Sequence, residues 1–247
     1  MSELGKYILI KCHINFMKKI TFIIILLFVG FVFFYRCAKN DKRKFTVISI
    51  QNALKDKYEP VYQNYLNHFK KMGLNELPDQ FTFIALKAER QLELWFEKGD
   101  KVYFVKSYPI LAASGVAGPK LKEGDKQVPE GFYKIIGLNA NSDYHLSLKV
   151  DYPNDFDKKI AQQEGRTQLG GEIFLHGKAV SIGCVAIGDE AIEEVFYMCS
   201  KIGIQNSAFL SMPYDFRKKA PILQDKIWVN ELYQQLSDTI LRKYLPF

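Results

Sequence analysis

Disulfide-forming capacity is the first thing this sequence lacks. Its four cysteines in 247 residues are too few and too scattered for a disulfide scaffold, and a chain this long buries a sizeable core without one. There is no internal repeat and no low-complexity tract. A hydrophobic content of 48% with 25% charged residues excludes a wholly disordered or fibrous chain. A surplus of one charge is also missing from most of the length. The formal net charge is +7, but residues 1–44 hold nine basic side chains and two acidic ones, while the remaining 203 residues carry 25 of each sign. A nucleic-acid-binding domain needs a concentrated basic face to displace counterions, so a neutral body argues against that class of partner.

The basic residues flank one uncharged run, Ile20–Tyr35 (ITFIIILLFVGFVFFY). At about 1.5 Å per residue it makes a helix of about 24 Å, short of a ~30 Å hydrocarbon core. Tyr35 at the interface and snorkelling Lys19 and Arg36 make up the difference. Met17-Lys18-Lys19 before the run has the layout of a secretory n-region, with Met17 as an alternative start. No small-residue cleavage site follows, and Phe34-Tyr35-Arg36 before Cys37 lacks the small residues of a lipobox. The expectation is a basic segment over 1–19 and an uncleaved signal anchor over 20–35, preferred to a cleaved peptide or a buried core helix. Such an anchor holds the body on the periplasmic, extracytoplasmic side of the inner membrane.

Beyond it, residues 44–78 have helical apolar spacing (Leu54, Tyr58, Val61, Tyr62, Tyr65, Leu66, Phe69, Met72) and predict a helical stalk that packs on the body, with Pro60 kinking it or starting a new helix. Strand signals then dominate: Phe81–Leu86, Leu92–Phe96 and Val102–Ser107, the last two joined through Lys98-Gly99-Asp100. Further strands are expected at Gly131–Ile136, His145–Val150, Ile173–His176, Val185–Ile187 and Ala208–Met212. Asp189–Ile202 predicts a helix with acidic residues in its first turn and Gly203 as its stop. Ile222–Tyr244 reads as amphipathic helix. The expected fold class is mainly β, a sandwich or barrel with peripheral helices (α+β), with the body over 79–220 and a packing helix over 221–247.

One segment carries chemistry: residues 170–189, GGEIFLHGKAVSIGCVAIGD. An apolar strand ends at His176-Gly177, a short loop follows, and Gly183-Cys184 opens a second strand. Two strand ends joined by a short loop bring His176 and Cys184 within hydrogen-bond reach. Gly177, Ser181 and Gly183 are small neighbours that leave room for substrate. The Cys184 thiolate would be the nucleophile, its pKa lowered by an adjacent imidazolium, with His176 moving protons. The amides of Gly183 and Cys184 are expected oxyanion donors, and Ser181 an orienter of the imidazole. A cysteine between apolar residues is more commonly a small buried hydrophobe, and a lone histidine more commonly satisfies a turn. A metal site has weaker support, because Cys12 and His13 precede the anchor and Cys199 lies on a predicted helix without a ligand partner at zinc-like spacing.

The pattern H-G-(x)3-S-x-G-C, here His176, Gly177, Ser181, Gly183 and Cys184, resembles the signature of the L,D-transpeptidase (YkuD-type) catalytic domain. Val128–Tyr133 is similar to that family's P-x-G-x-Y segment. The run from Asn141 to Asp157 looks closest to the YafK-like branch, and Tyr214-Asp215-Phe216-Arg217 resembles its P-F-R element. The resemblance spans about 81–220. It implies a mainly β fold, no cofactor, and an exported enzyme acting on peptidoglycan stem peptides. The thiolate would attack the L-centre carbonyl of the third-position diamino acid, expel D-alanine and form a thioester. An amine of another stem, a lysine of a peptidoglycan-linked lipoprotein, or water would resolve it. The branch also includes a hydrolase that releases lipoprotein. Ile182 and Ala186 stand where many relatives carry a second His and an Arg, which leaves His145 and Arg217 as replacement holders of the substrate carboxylate. Tyr144 and His145 are expected to line the cleft. Trp95 and Trp228 read as packing residues. Three readings stay open: a cross-linking acyl-transferase, a hydrolase using the same dyad, and a non-catalytic wall-binding module.

Overall fold

The computed structural model describes residues 45–72 and 78–245. The expected basic segment and anchor at 1–35 lie outside them, and among the described residues no helix is long and apolar enough to cross a membrane.

The first helix, α1 (Val47–Lys71), starts where Thr46 and Ser49 exchange side-chain-to-backbone hydrogen bonds, a reciprocal cap that satisfies two orphan amides. Its apolar residues recur on one face, and Tyr58, Tyr62 and Phe69 are buried. Pro60 sits inside this helix and does not end it. It lies on the exposed face, where water can meet the carbonyl that its missing N–H leaves unpaired. Phe45 is pinned by both backbone groups to the Asn141 side chain, at 2.7 Å each.

Nine strands follow: β1 (Gln80–Leu86), β2 (Gln91–Lys98), β3 (Lys101–Pro109), β4 (Ala112–Ala113), β5 (Gly131–Ser142), β6 (His145–Val150), β7 (Phe174–His176), β8 (Val185–Ala186) and β9 (Ser207–Met212). They form one open sheet in the order β3-β2-β1-β9-β5-β6-β7-β8-β4, so the sheet does not close into a barrel. β1/β9 and β7/β8 are parallel and the other pairs antiparallel. β5 spans both halves: Gly131–Lys134 pairs with β9, and from Ile135 onward it pairs with β6 across two register irregularities. Three further helices, α2 (Asp155–Gln163), α3 (Asp189–Ile202) and α4 (Ile227–Lys243), lie in the order β6-α2-β7, β8-α3-β9 and after β9. The fold is a sheet-dominated mixed α+β domain with peripheral helices.

Strand alternation divides the interior into two cores. Phe81, Phe83 and Ala85 of β1, with Leu92, Leu94 and Phe96 of β2, join α1, α3, β7 and β8. Ile84, Leu86 and Trp95 point the other way, against Val229, Leu232, Leu236 and Ile240 of α4, spaced as the core stripe of a helix. α4 begins five residues later than the amphipathic pattern suggests, because Ile222 and Leu223 are exposed loop residues. α2 was not expected. Asn154 caps it through a reciprocal bond with Asp157, a signal hidden inside the Tyr-Pro-Asn run.

Arg217 must be reassigned. Expected as a holder of substrate carboxylate, it has its guanidinium buried beneath α4, bonded to Glu93 (2.7 and 3.1 Å), to Asp215 (2.7 and 3.0 Å) and to the Tyr244 carbonyl (3.0 Å). All three charged side chains are under 10% exposed. Removing the cation leaves two carboxylates buried without their partner, which costs about 3–5 kcal/mol for a broken buried pair. Arg217→Ala is therefore expected to lower the unfolding free energy measured in urea by that amount, while the fraction still folded keeps full reactivity at Cys184. Unchanged stability, with reactivity lost, would return Arg217 to the substrate site.

Candidate active site

His176 is the last residue of β7 and is 1% exposed. Its Nδ1–H donates to the Gly177 carbonyl at 2.6 Å, which fixes the tautomer and leaves Nε2 bare as the basic nitrogen. The Tyr144 ring lies on the imidazole, with centroids 4.6 Å apart. Tyr144 is itself 45% exposed and carries the Lys178 ammonium 5.7 Å from its centroid. Burial lowers the His176 pKa from its ordinary value; the Gly177 carbonyl opposes this and the Lys178 charge adds to it. The imidazole is neutral at neutral pH.

Cys184 comes one residue before β8, on a turn whose shape depends on Gly183. That glycine has φ +90° with ordinary space around it, so the requirement is for a left-handed backbone and not for room. Ser181 closes the turn: its hydroxyl donates to the Cys184 carbonyl at 2.6 Å and accepts from the Cys184 amide at 3.0 Å. The Gly183 amide donates to the Ser114 hydroxyl at 2.6 Å, and Ser114 donates onward to the Lys126 carbonyl at 2.7 Å. Two expectations change here. Ser181 does not orient the imidazole, and the amides of Gly183 and Cys184 are not free oxyanion donors, because the turn already uses both. An oxyanion at this cysteine would have to displace a serine hydroxyl.

The thiol donates to the Glu172 carbonyl at 3.5 Å. Burial raises its pKa, against the pull of the Phe174 amide and the Lys120 charge. Burial thus pushes the thiol up and the imidazole down, each toward its neutral form, which runs against the expected imidazolium-lowered thiolate.

Strand register places them together. Leu175 pairs with Val185 and His176 with Ala186 in the parallel β7/β8 ladder. Ile173, Leu175, Val185 and Ile187 enter the large core. Since side chains alternate, Cys184 and His176 share the opposite face. A strand spacing of about 4.8 Å and a rise of about 3.3 Å per residue set their backbones about 8 Å apart, a diagonal that aromatic side chains span. A change of one staggered well at χ1 of Cys184, about 120°, would turn the sulfur away from its resting carbonyl.

Gly177 serves packing. A Cβ there would lie 2.6 Å from Asp189 Oδ1 and 2.8 Å from the Tyr144 carbonyl, so its smallness lets the β5–β6 turn close on β7 and does not make space for substrate. Asp189, at the start of α3, accepts from the Lys178 amide at 2.7 Å. His145 also differs from expectation. It adopts φ +74° and its Nε2 faces Glu193 Oε1 at 2.8 Å, while Glu193 holds Lys57 and Tyr58 of α1 at 3.0 Å each. His145 braces the turn against α3 and α1 through its Nε2. Ser114, Glu172 and Asp189 were missed as site neighbours: Ser114 arrives from 69 positions away, while Glu172 and Asp189 lie within the same 170–189 segment and make their contacts only once it folds back on itself. Cys199 is fully buried in α3, as expected. Among the described residues no group of acidic, histidine and cysteine side chains could hold a metal ion.

Residues 80–213 match the YkuD family, described as the L,D-transpeptidase catalytic domain. The "Putative L,D-transpeptidase YafK" of Escherichia coli (strain K12) is 35% identical over 112 residues, 44% of this chain and 43% of that protein. The chain thus matches less than half the length of that curated relative. The crystal structure of the helical cell shape determining protein Pgp2 from Campylobacter jejuni is 21% identical at a TM-score of 0.46, covering 55% of this chain and 48% of that one. Mycobacterium tuberculosis L,D-transpeptidase 1 is 10% identical at 0.32, covering 53% and 61%.

Two outcomes follow from this geometry. Gly177→Ala is expected to destabilise the protein by about 1–3 kcal/mol, the range for overpacking, measured by urea unfolding. The alkylation rate of Cys184 by iodoacetamide should still be climbing above pH 9, past the ordinary thiol value, because burial raises the pKa. A plateau between pH 5 and 7 would instead reveal a thiolate–imidazolium pair.

Proposed function

This chain belongs to the family of YkuD L,D-transpeptidase catalytic domains, and on that premise we propose that Cys184 is an acyl-transfer nucleophile served by His176 on peptidoglycan stem peptides. What carries the reading is the β7/β8 register together with the bare Nε2. In the first half-reaction Nε2 takes the thiol proton as sulfur attacks the carbonyl on the L-centre of the third stem residue. The tetrahedral intermediate collapses, the C–N bond breaks, and the imidazolium returns the proton to departing D-alanine. A thioester on Cys184 remains. In the second half-reaction an acceptor amine attacks it, Nε2 takes the amine proton and hands it to the leaving sulfur.

The neutral pair suits this sequence. A lowered His176 pKa favours the unprotonated base, and a raised thiol pKa favours a sulfur that ionises as its proton transfers. The acceptor is the amine of a second stem or a lysine of a wall-linked lipoprotein, and water in its place gives hydrolysis. The uncharged Ile20–Tyr35 run supports delivery of the domain to the outer side of the inner membrane.

Incubation of the full chain with a stem tetrapeptide, followed by product chromatography, tests the proposal. D-alanine should appear with a dimeric stem, and Cys184→Ala should abolish both. His176→Ala should slow release by about 10²–10⁴-fold, the contribution of a general acid–base. Free tripeptide acid without dimer would make the enzyme a hydrolase, and D-alanine release that survives Cys184→Ala would end the assignment.

A further inference from the structure

One hydrogen bond does not immobilise an imidazole. The Gly177 carbonyl fixes the Nδ1 edge of His176, yet a ring held at one edge can still rock about that contact and carry Nε2 away from the sulfur. The elements packed around the ring differ in what they bring. β6 faces it with Ser147 and β8 with Ala186, neither of them charged, and the Cys184 thiol shares its face of the sheet. α3 brings Asp189, whose carboxylate accepts from the Lys178 amide at 2.7 Å. His145, at the start of β6, is turned to Glu193. What lies on the ring itself is Tyr144, with centroids 4.6 Å apart and planes at 40°, the one ring contact of His176 among the described residues.

The two rings divide their exposure unequally: Tyr144 is 45% exposed and His176 1%. A solvated ring over a dry one is a cover, and water approaching that face of the imidazole meets Tyr144 first. Its seat is built from both sides. The Tyr144 amide donates to the Ser142 hydroxyl at 3.1 Å, and the missing side chain at Gly177 lets the Tyr144 carbonyl come close. Lys178 closes the seat from outside. Its Nζ donates to the Asp143 carbonyl and sits 5.7 Å from the Tyr144 centroid, within reach for a cation over an aromatic face. The Lys178 backbone is itself fixed, through its amide to Asp189 and through its carbonyl to the Gly188 amide at 3.1 Å. The Tyr144 hydroxyl has no hydrogen-bond partner among the described residues, so the flat ring is what is held in place, not the polar tip.

We infer that Tyr144 is a positioning residue for the base: its ring is a fixed cover that holds the His176 imidazole in one plane and keeps water from it. This deepens the acyl-transfer reading and rests on it, since only a base has to aim Nε2 while staying unprotonated. Without the cover, water solvates the imidazolium, and the burial that lowers the His176 pKa is lost.

The first test reads the imidazole directly, by NMR titration of isotope-labelled histidine in the Cys184→Ala full chain. Tyr144→Ala should move the His176 midpoint up toward the ordinary 6.5. Tyr144→Phe should leave it at the wild-type position, and Tyr144→Leu, with bulk but no flat face, should fall between. The second test reads D-alanine release from a stem tetrapeptide on chains with Cys184 intact. One pH unit below an ordinary midpoint about nine-tenths of an imidazole is protonated, so kcat/KM of Tyr144→Ala should drop about tenfold between its plateau and about pH 5.5. Wild type and Tyr144→Phe should drop less. A midpoint unmoved in Tyr144→Ala and Tyr144→Leu, or moved as far by Tyr144→Phe, overturns the inference; with KM raised at every pH, it makes Tyr144 a wall of the substrate cleft instead. A wild-type chain that releases no D-alanine at any pH overturns the acyl-transfer reading, and the titration still decides whether Tyr144 covers His176.

Discussion

The parallel pairing of β7 with β8 is the constraint on which the rest of the structure depends. These strands are three and two residues long, and eight residues connect them, fewer than the dozen or more that a parallel crossover usually takes. The connection succeeds because both strands are so short, and because the return path is pinned at several points. The Gly188 amide bonds to Lys178, the Ile187 amide to His176, and Asp189 to the Lys178 amide. On the outer side, β4 and Ser114 hold β8 and the turn before it. The core residues of the two strands all face inward, so the two polar ones share the other face. A slip of one residue would send either Cys184 or His176 into the apolar core, since side chains alternate with period two.

Burial then sets the charge state. The imidazole lies beneath Tyr144 and the thiol beside main-chain carbonyl and amide groups, and each is pushed toward its neutral form. A pre-formed ion pair would need solvation that this pocket does not offer. In the proposed acyl transfer, that favours a proton that moves during bond formation rather than before it. The same burial explains why the turn bearing Tyr144 is braced so heavily: His145, Glu193, Lys57 and Tyr58 link it to α1, and Gly177 permits its close approach.

Much of this was legible in the residues. α3 has the bounds its acidic first turn and Gly203 stop indicated, and the β2–β3 hairpin turns at Gly99 as expected. The Cys184 turn could be located because Gly183, Ser181 and the flanking apolar runs are local. What was not legible depends on partners far apart in sequence. Arg217 looks like any exposed-loop arginine until Glu93, 124 positions away, closes on it. His145 reads as a cleft residue until Glu193 arrives from α3. β4 is two alanines, invisible to any alternation rule, yet it holds β8 in place. β5 reads as a strand ending near Ile136, but it runs on to Ser142 because β6 takes over from β9 as its partner.

Covalent capture tests the central claim most directly: rapid mixing of the full chain with stem tetrapeptide, followed by intact-protein and peptide-level mass spectrometry. The account predicts an adduct equal to the stem minus D-alanine, located on Cys184, forming at least about 100-fold more slowly when His176 is alanine. An adduct on another residue, or one that forms at the same rate without His176, would contradict it.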